Sequence, residues 1–253
     1  MNNHFKIFIP FYNVEDWIIR TVRSVKGQDY KDFECILVDD MSTDSSVHIL
    51  EREIQNDDRF KLIKNTQKKY VIENMYTAFD LCVPKKEDII VVLDGDDWFA
   101  RRNILSTLKE TYDKEQCWLT YGSYIEYPSM TVGKFAKQIP EEVIHTNSIR
   151  QYPWVTGHLQ TFKYGLWENV DKSKSFREPS EPNKEHHFMY GWDLAWVIPL
   201  VELAGKRAHY ISDILYVYNR ENPLNCDKIK HRQQLLTEQM VRNMEKYKPL
   251  EAL

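Results

Sequence analysis

The run Ile89–Leu93, IIVVL, is apolar at every position and ends abruptly at Asp94-Gly95-Asp96-Asp97. A strand apolar on both faces must be covered on both faces, which is the situation of a strand inside a parallel sheet. The preceding chain supplies the rest of such a sheet. Lys6–Ile9 is β-prone and expected to stop at Pro10; Phe33–Val38 leads into Asp39-Asp40; Phe60–Ile63 makes a short third strand. Helical spacing fills the gaps: Val14, Trp17, Ile18, Thr21, Val22 and Val25, then Val47, Leu50 and Ile54, then Val71, Met75 and Phe79. Asn13 is expected to cap the first helix and Ser42 or Thr43 the second, while Pro84 closes the third. Strand–helix alternation predicts an α/β fold with a mostly parallel sheet flanked by helices.

The chain's 253 residues suit one large α/β domain or two small ones. Net charge is −4 with no basic block, which argues against nucleic acid as the main partner. The longest apolar runs are strand-sized, well short of the roughly 20 residues of a membrane helix. The N-terminus, MNNHFKIFIPF, has no signal-peptide pattern. Cys35, Cys82, Cys117 and Cys226 are widely spaced and form no C-x-x-C pair, so reduced thiols and a cytoplasmic location are expected.

Beyond Arg101 the pattern loosens. Leu105, Leu108 and Tyr112 suggest a helix, Trp118–Tyr121 a strand, and Tyr127–Pro153 mostly loop. Lys172–Lys184 reads as a charged surface loop, Trp192–Leu203 as a helix and Ala208–Tyr218 as a strand. Leu235, Leu236, Met240 and Met244 recur at roughly helical spacing, predicting a C-terminal helix packed on the body; peripheral membrane contact is the alternative.

In open parallel sheets, ligands bind beyond the carboxyl ends of the strands. Three strands here end in polar clusters: Pro10–Asn13, Asp39-Asp40 and Asp94–Asp97. Crowded carboxylates repel unless a positive group sits among them. A divalent cation fits Asp94 and Asp96, and magnesium or manganese held by two carboxylates leaves coordination sites for phosphates. Neither G-x-x-x-x-G-K-[ST] nor G-x-G-x-x-G occurs. A metal-bridged diphosphate without a glycine-rich cradle suggests a nucleotide-sugar.

IPFYN (Ile9–Asn13), ILVDDMSTD (Ile36–Asp44) and VVLDGDDW (Val91–Trp98), in this order and spacing, resemble family 2 glycosyltransferases of the GT-A fold. The resemblance covers about the first hundred residues. It implies a Rossmann-like GT-A sheet and an inverting, metal-dependent hexosyltransferase with Mn²⁺ or Mg²⁺. The donor would be a nucleotide-sugar, UDP-sugar favoured, and the acceptor a glycan, lipid-linked or protein hydroxyl. By the same resemblance, Pro10, Tyr12 and Asn13 belong to the donor pocket, Asp40 accepts a hydrogen bond from the base, and Asp94 and Gly95 lie near the ribose. Asp94 and Asp96 would hold the metal. Asp97 orients either group or caps the next helix.

The family often carries Ala-Arg-Asn after the third strand. Here Ile72-Glu73-Asn74 keeps only the Asn74, so Lys68 or Lys69 would meet phosphate charge. Asp193, after Tyr190-Gly191-Trp192, resembles the family's base, although the usual Glu-Asp reads Trp-Asp. His158 can reach the sugar, the diphosphate or the metal. His186-His187 could close over the site, and Trp98, Trp154 and Trp192 offer flat faces to sugar rings. The implied organisation is a transferase domain over 1–225, with donor half 1–100 and acceptor half 101–225, then a helical extension 226–253. A non-catalytic nucleotide-sugar or glycan-binding module on the same fold remains the alternative.

Overall fold

The computed structural model describes residues 4–176 and 188–253. Its first half runs β1 (Phe5–Phe11), α1 (Ile18–Lys26), β2 (Phe33–Asp39), α2 (Ser46–Ile54), β3 (Phe60–Lys64), α3 (Tyr70–Cys82) and β4 (Ile89–Val92). There follow β5 (Trp98–Phe99), α4 (Ile104–Glu115), β6 (Leu119–Tyr127), β7 (Thr131–Val132), α5 (Glu141–His145), β8 (Gln160–Lys163), α6 (Tyr164–Glu168) and α7 (Lys172–Ser175). The chain closes with α8 (Trp192–Ala204), β9 (Ala208–Asn219), α9 (Cys226–Ile229) and α10 (His231–Asn243).

Among the described residues the strands form one mixed sheet in the order β3-β2-β1-β4-β8-β6-β9-β5, with β7 on β6. The β3-β2-β1-β4 half is parallel, and β8 enters antiparallel beside β4. Strand alternation splits the core in two. Phe5, Ile7, Ile9 and Phe11 face one layer with Ile18, Val22 and Val25 of α1, while Phe8, Ile36 and Val38 face the other with Ile72 and Met75 of α3. Each such fully buried side chain contributes about 1.5–3 kcal/mol of transfer free energy. The four cysteines are unpaired, and among the described residues no helix is long and apolar enough to cross a membrane.

Several boundaries differ from expectation. β1 continues through Pro10 to Phe11. The Pro10 carbonyl accepts from Gly95 N, so its nitrogen faces the β4 side, where the ladder has already ended at Val92. The missing N–H thus falls where the β1–β4 ladder stops, on the side away from the continuing β1–β2 pairing. Asn13 does not cap α1, which begins at Ile18. Its Oδ1 accepts from Thr43 N at 2.8 Å instead, and its own N donates to Ser42 Oγ at 2.9 Å. Those two ties stitch the loops after β1 and β2 together, so Ser42 and Thr43 do not cap α2 either. Within the expected 127–153 loop, β7 and α5 form short elements. The His186-His187 pair and most of the charged stretch before it lie outside the described residues.

The C-terminal helix packs on the body, with α10 against α8 and Thr237 and Val241 buried. Gly191, at φ +66°, permits this: a Cβ there would stand 3.2 Å from Thr237 Cβ and 3.3 Å from the Gln234 backbone.

Candidate active site

Parallel register places the carboxyl ends of β1, β2 and β4 side by side, pairing Pro10 with Val38 and Phe8 with Val92. A cleft of about 410 Å³ opens at that edge, lined among others by Pro10, Tyr12, Asp40, Lys68, Asn74, Asp94, Gly95, Asp96, His158 and Asp193. A second cleft of about 870 Å³ is lined by Tyr124, Phe135, Trp154, Arg220, Leu235 and others. His158, Asp193, Tyr218, Asp227 and Gln234 line both, so the two clefts meet at these residues.

Asp40 is buried beneath the first cleft. Its Oδ1 accepts from Lys69 N at 2.8 Å and Asn65 Nδ2 at 3.1 Å; its Oδ2 accepts from Tyr70 N at 3.1 Å. Asp40 thus caps α3 from another element, satisfying amides the helix start leaves orphaned. One acceptor position remains on Oδ2, and Lys68 Nζ sits 3.5 Å from it. Asn65 Nδ2 also donates to Asn74 Oδ1 at 2.7 Å, which fixes that amide's orientation. Asn74 Nδ2 is left buried without a protein partner.

The acid loop is tightly anchored. Gly95 accepts from Thr21 Oγ1 at 2.9 Å through its carbonyl, and a Cβ on it would stand 2.4 Å from Phe11 Cβ. The glycine is therefore required by the close pass over β1 as well as by the cleft it lines. Asp97 neither caps a helix nor faces the cleft. Buried, it accepts from Tyr216 Oη at 2.5 Å and Asn219 N at 2.7 Å, tying the loop to the end of β9. Asp96 Oδ2 accepts from Asn222 Nδ2 at 2.7 Å.

Burial, then Asp96 and Asp193, push the Asp94 carboxyl up to about 8. Burial also raises Asp96, against the opposing pull of Asn222 and Lys228. Asp193 stands in the first turn of α8, where burial lifts it to about 6 although the Leu194 amide and its own favour the carboxylate. Crowded carboxyls held above their ordinary range are what a divalent cation would relieve. Among the described residues no third His, Cys, Asp or Glu joins Asp94 and Asp96 into a metal-holding group. Two carboxylates with open remaining positions fit a magnesium- or manganese-type ion that borrows phosphate oxygens.

His158 lies stacked on Tyr216 at 4.6 Å and Tyr218 at 5.8 Å, with Tyr124 edge-on, and burial lowers its imidazole to about 4. It stands at the junction of the clefts as a neutral ring.

Not every expected residue arrives. Lys69 turns along α3, its Nζ donating to Thr77 Oγ1 at 3.2 Å, and it is Lys68 that faces the cleft, 3.0 Å above the Tyr12 ring. Asn13 is occupied in its loop stitch. Trp98 packs under the Arg20 guanidinium at 3.6 Å and is buried, whereas Trp192 lines the first cleft and Trp154 the second. Sequence reasoning missed Tyr218, Asn222, Asp227 and Gln234. The polar run Asn219-Arg220-Glu221-Asn222 after a long strand was the available signal, of the same kind as the three strand ends that were read.

The mixed sheet flanked by helices, with a cleft at the carboxyl ends of its parallel strands, has the GT-A architecture. The sequence profile of the family described as "Glycosyl transferase family 2" matches residues 6–177, and the chain belongs to that family. It is similar to glycosyltransferase GlyG of Streptococcus pneumoniae serotype 4, 25% identical over 230 residues, covering 88% of this chain and 72% of that protein. It is also similar to Escherichia coli WfaP, a UDP-Glc:alpha-D-GlcNAc-diphosphoundecaprenol beta-1,3-glucosyltransferase, 31% identical over 138 residues, which are 54% of this chain and 52% of WfaP. Staphylococcus aureus TarS residues 1–349, solved with UDP-GlcNAc, superposes with a TM-score of 0.68 at 18% identity, covering 96% of this chain and 68% of that one. The mannosyltransferase PcManGT of Pyrobaculum calidifontis, solved with GDP-Man and Mn²⁺, gives 0.65 at 17% identity, covering 98% and 66%. The matched stretch is about half of WfaP, and only 24–27% of several other curated relatives, which are much longer than this chain.

Proposed function

We propose that the chain transfers a sugar, with inversion, from a nucleotide diphosphate donor to an acceptor hydroxyl in a divalent-metal-dependent reaction. The observation that carries this reading is the convergence of Asp94, Asp96 and Asp193 on one cleft. Asp94 and Asp96 would hold Mn²⁺ or Mg²⁺, which when bound offsets charge on the departing diphosphate as a Lewis acid. The acceptor enters through the second cleft and meets Asp193 where the clefts join. Its oxygen attacks the anomeric carbon opposite the diphosphate. The carbon–oxygen bond to phosphate breaks as the new bond forms, and the hydroxyl proton passes to the Asp193 carboxylate.

The base lies over Pro10 and Tyr12. Asp40 offers one remaining acceptor position and Asn74 Nδ2 one unpartnered donor to the same cleft, which we read together as an acceptor–donor pair. Uracil N3–H with O4 complements that pair, as does guanine N1–H with O6, whereas cytosine does not. Uracil, meeting Asp40 through N3–H, is the simpler of the two partners, hence a UDP-sugar. The tail beyond 225 is read as part of the acceptor wall, since Gln234, Leu235 and Glu238 line the second cleft. Four unpaired thiols fit a cytoplasmic enzyme.

The test is nucleotide release from UDP-, GDP- and dTDP-sugars by purified protein with Mn²⁺, with Asp96→Ala and Asp193→Asn as controls. UDP release that vanishes in both variants and in EDTA is expected. Release persisting undiminished in EDTA and in Asp96→Ala overturns the reading.

A further inference from the structure

The largest exposed apolar side chains beside the site gather on one lip. Leu224, Ile229, Leu235 and Leu236 are 41–53% exposed, and Met189 is 37% exposed. Met189, Leu224 and Ile229 line the mouth of the first cleft and Leu235 that of the second. α10 is two-faced in an unusual way. Thr237 and Val241 seat it on α8, yet Leu235 and Leu236 point outward beside Arg232, three and four residues earlier and exposed. Lys228 and His231 are exposed nearby, and Lys230 lies 5.4 Å from the Tyr190 ring at the same lip. From 224 to 236 the chain carries Lys228, Lys230 and Arg232 against Asp227 alone, a local excess of positive charge in a protein of net charge −4.

An apolar rim flanked by Lys228, Lys230 and Arg232 matches the headgroup boundary of an anionic bilayer, which accepts both inserted aliphatic side chains and basic residues. We propose that the 224–236 lip docks the protein peripherally on an anionic membrane surface, bringing the junction of the clefts to the lipid plane. The docking stands independently of the transferase reading. Its consequence, an acceptor tethered to that membrane, rests on it.

The test is sedimentation of the full chain with phosphatidylcholine vesicles and with equimolar phosphatidylcholine–phosphatidylglycerol vesicles, at low and high salt. Binding is expected to the anionic vesicles, weakened by salt. Leu235→Glu/Leu236→Glu should cut the partition coefficient at least about tenfold, and Arg232→Glu by roughly fivefold per unit of charge. Leu81→Glu, equally exposed at the far end of α3, should bind as the parent does, with melting curves confirming that each variant folds. Three results overturn the proposal: no binding to anionic vesicles, binding indifferent to the lip variants, or a dimer in analytical ultracentrifugation that Leu235→Glu dissolves. Nucleotide release without vesicles reads the transferase chemistry separately, so either idea can fail alone.

Discussion

Arg150 and Glu202 form a bidentate ion pair inside the protein, Nε to Oε1 at 2.7 Å and Nη2 to Oε2 at 2.8 Å, with side chains 3% and 0% exposed. The pair is a clamp on the C-terminal tail. Arg150 Nη1 donates to the Val241 carbonyl at the end of α10, and Glu202 Oε2 accepts from Tyr247 N at 3.0 Å. The helix that walls the second cleft is thus held by a fully satisfied charge pair.

Removing one partner strands the other charge in the interior, which costs about 3–5 kcal/mol. Glu202→Gln is therefore expected to lower the melting temperature by roughly 6–20 °C for a chain of this size. Arg150→Met/Glu202→Leu, which removes both charges, should lose much less. Calorimetry on the three proteins checks the order, and equal losses would contradict the clamp.

If Asp193 is the proposed base, the reaction carries a pH signature. Burial raises its carboxyl to about 6, and a base must be deprotonated to accept a proton. Activity should therefore rise with pH through about 6 and level off above it. Asp193→Asn is expected to lower kcat by about 10²–10⁴ with little change in donor KM. A rate profile flat from pH 5 to 8 would remove Asp193 from the role.

Asn222 orients Asp96 through its 2.7 Å hydrogen bond. Partners of this kind typically change metal affinity about 10–100-fold when removed. Asn222→Ala should raise the Mn²⁺ concentration needed for half-maximal rate by that factor, while the rate at saturating metal stays near the parent's. Titration of activity against free Mn²⁺ after chelation measures both quantities.

His158 makes the fold sensitive to acid. Its folded value of about 4 lies below its ordinary 6.5, so the unfolded chain binds this proton more readily. The neutral ring's contribution is complete above 6.5 and declines as pH falls toward about 4. Comparing melting temperatures of the parent and His158→Phe between pH 7 and 4 isolates the effect. The difference between the two proteins should shift in favour of the variant on acidification.

What the sequence disclosed follows from the range of the interactions involved. Asp94, Asp96 and Asp40 were readable because each ends a strand of visible period, and parallel register brings strand ends together without further information. Lys68 and Lys69 were not separable, since the phase at which the chain enters α3 decides which one faces the cleft. Trp98 looked available only because its partner, Arg20, lies on another element. Asn222 and Asp227 reach the site through the turn after β9, more than 120 residues from Asp96 by the span of the Asn222–Asp96 bond. The polar run after β9 marks a strand end, but nothing local says that this end meets Asp96. The strand ends were legible from periodicity, Asp193 only through the family resemblance, and the turn after β9 was not read at all.

Asp40 caps α3 through Lys69 N and Tyr70 N, and in the proposed donor site it would also receive the base. A mutation there that altered nucleotide choice would also fray a helix, so descent is expected to leave this position frozen. Drift in donor preference among descendants must instead pass through Tyr12 and Lys68, which carry no such structural duty toward the helix amides. The lineage can change its currency only at the rim of the pocket, because its floor is also a foundation.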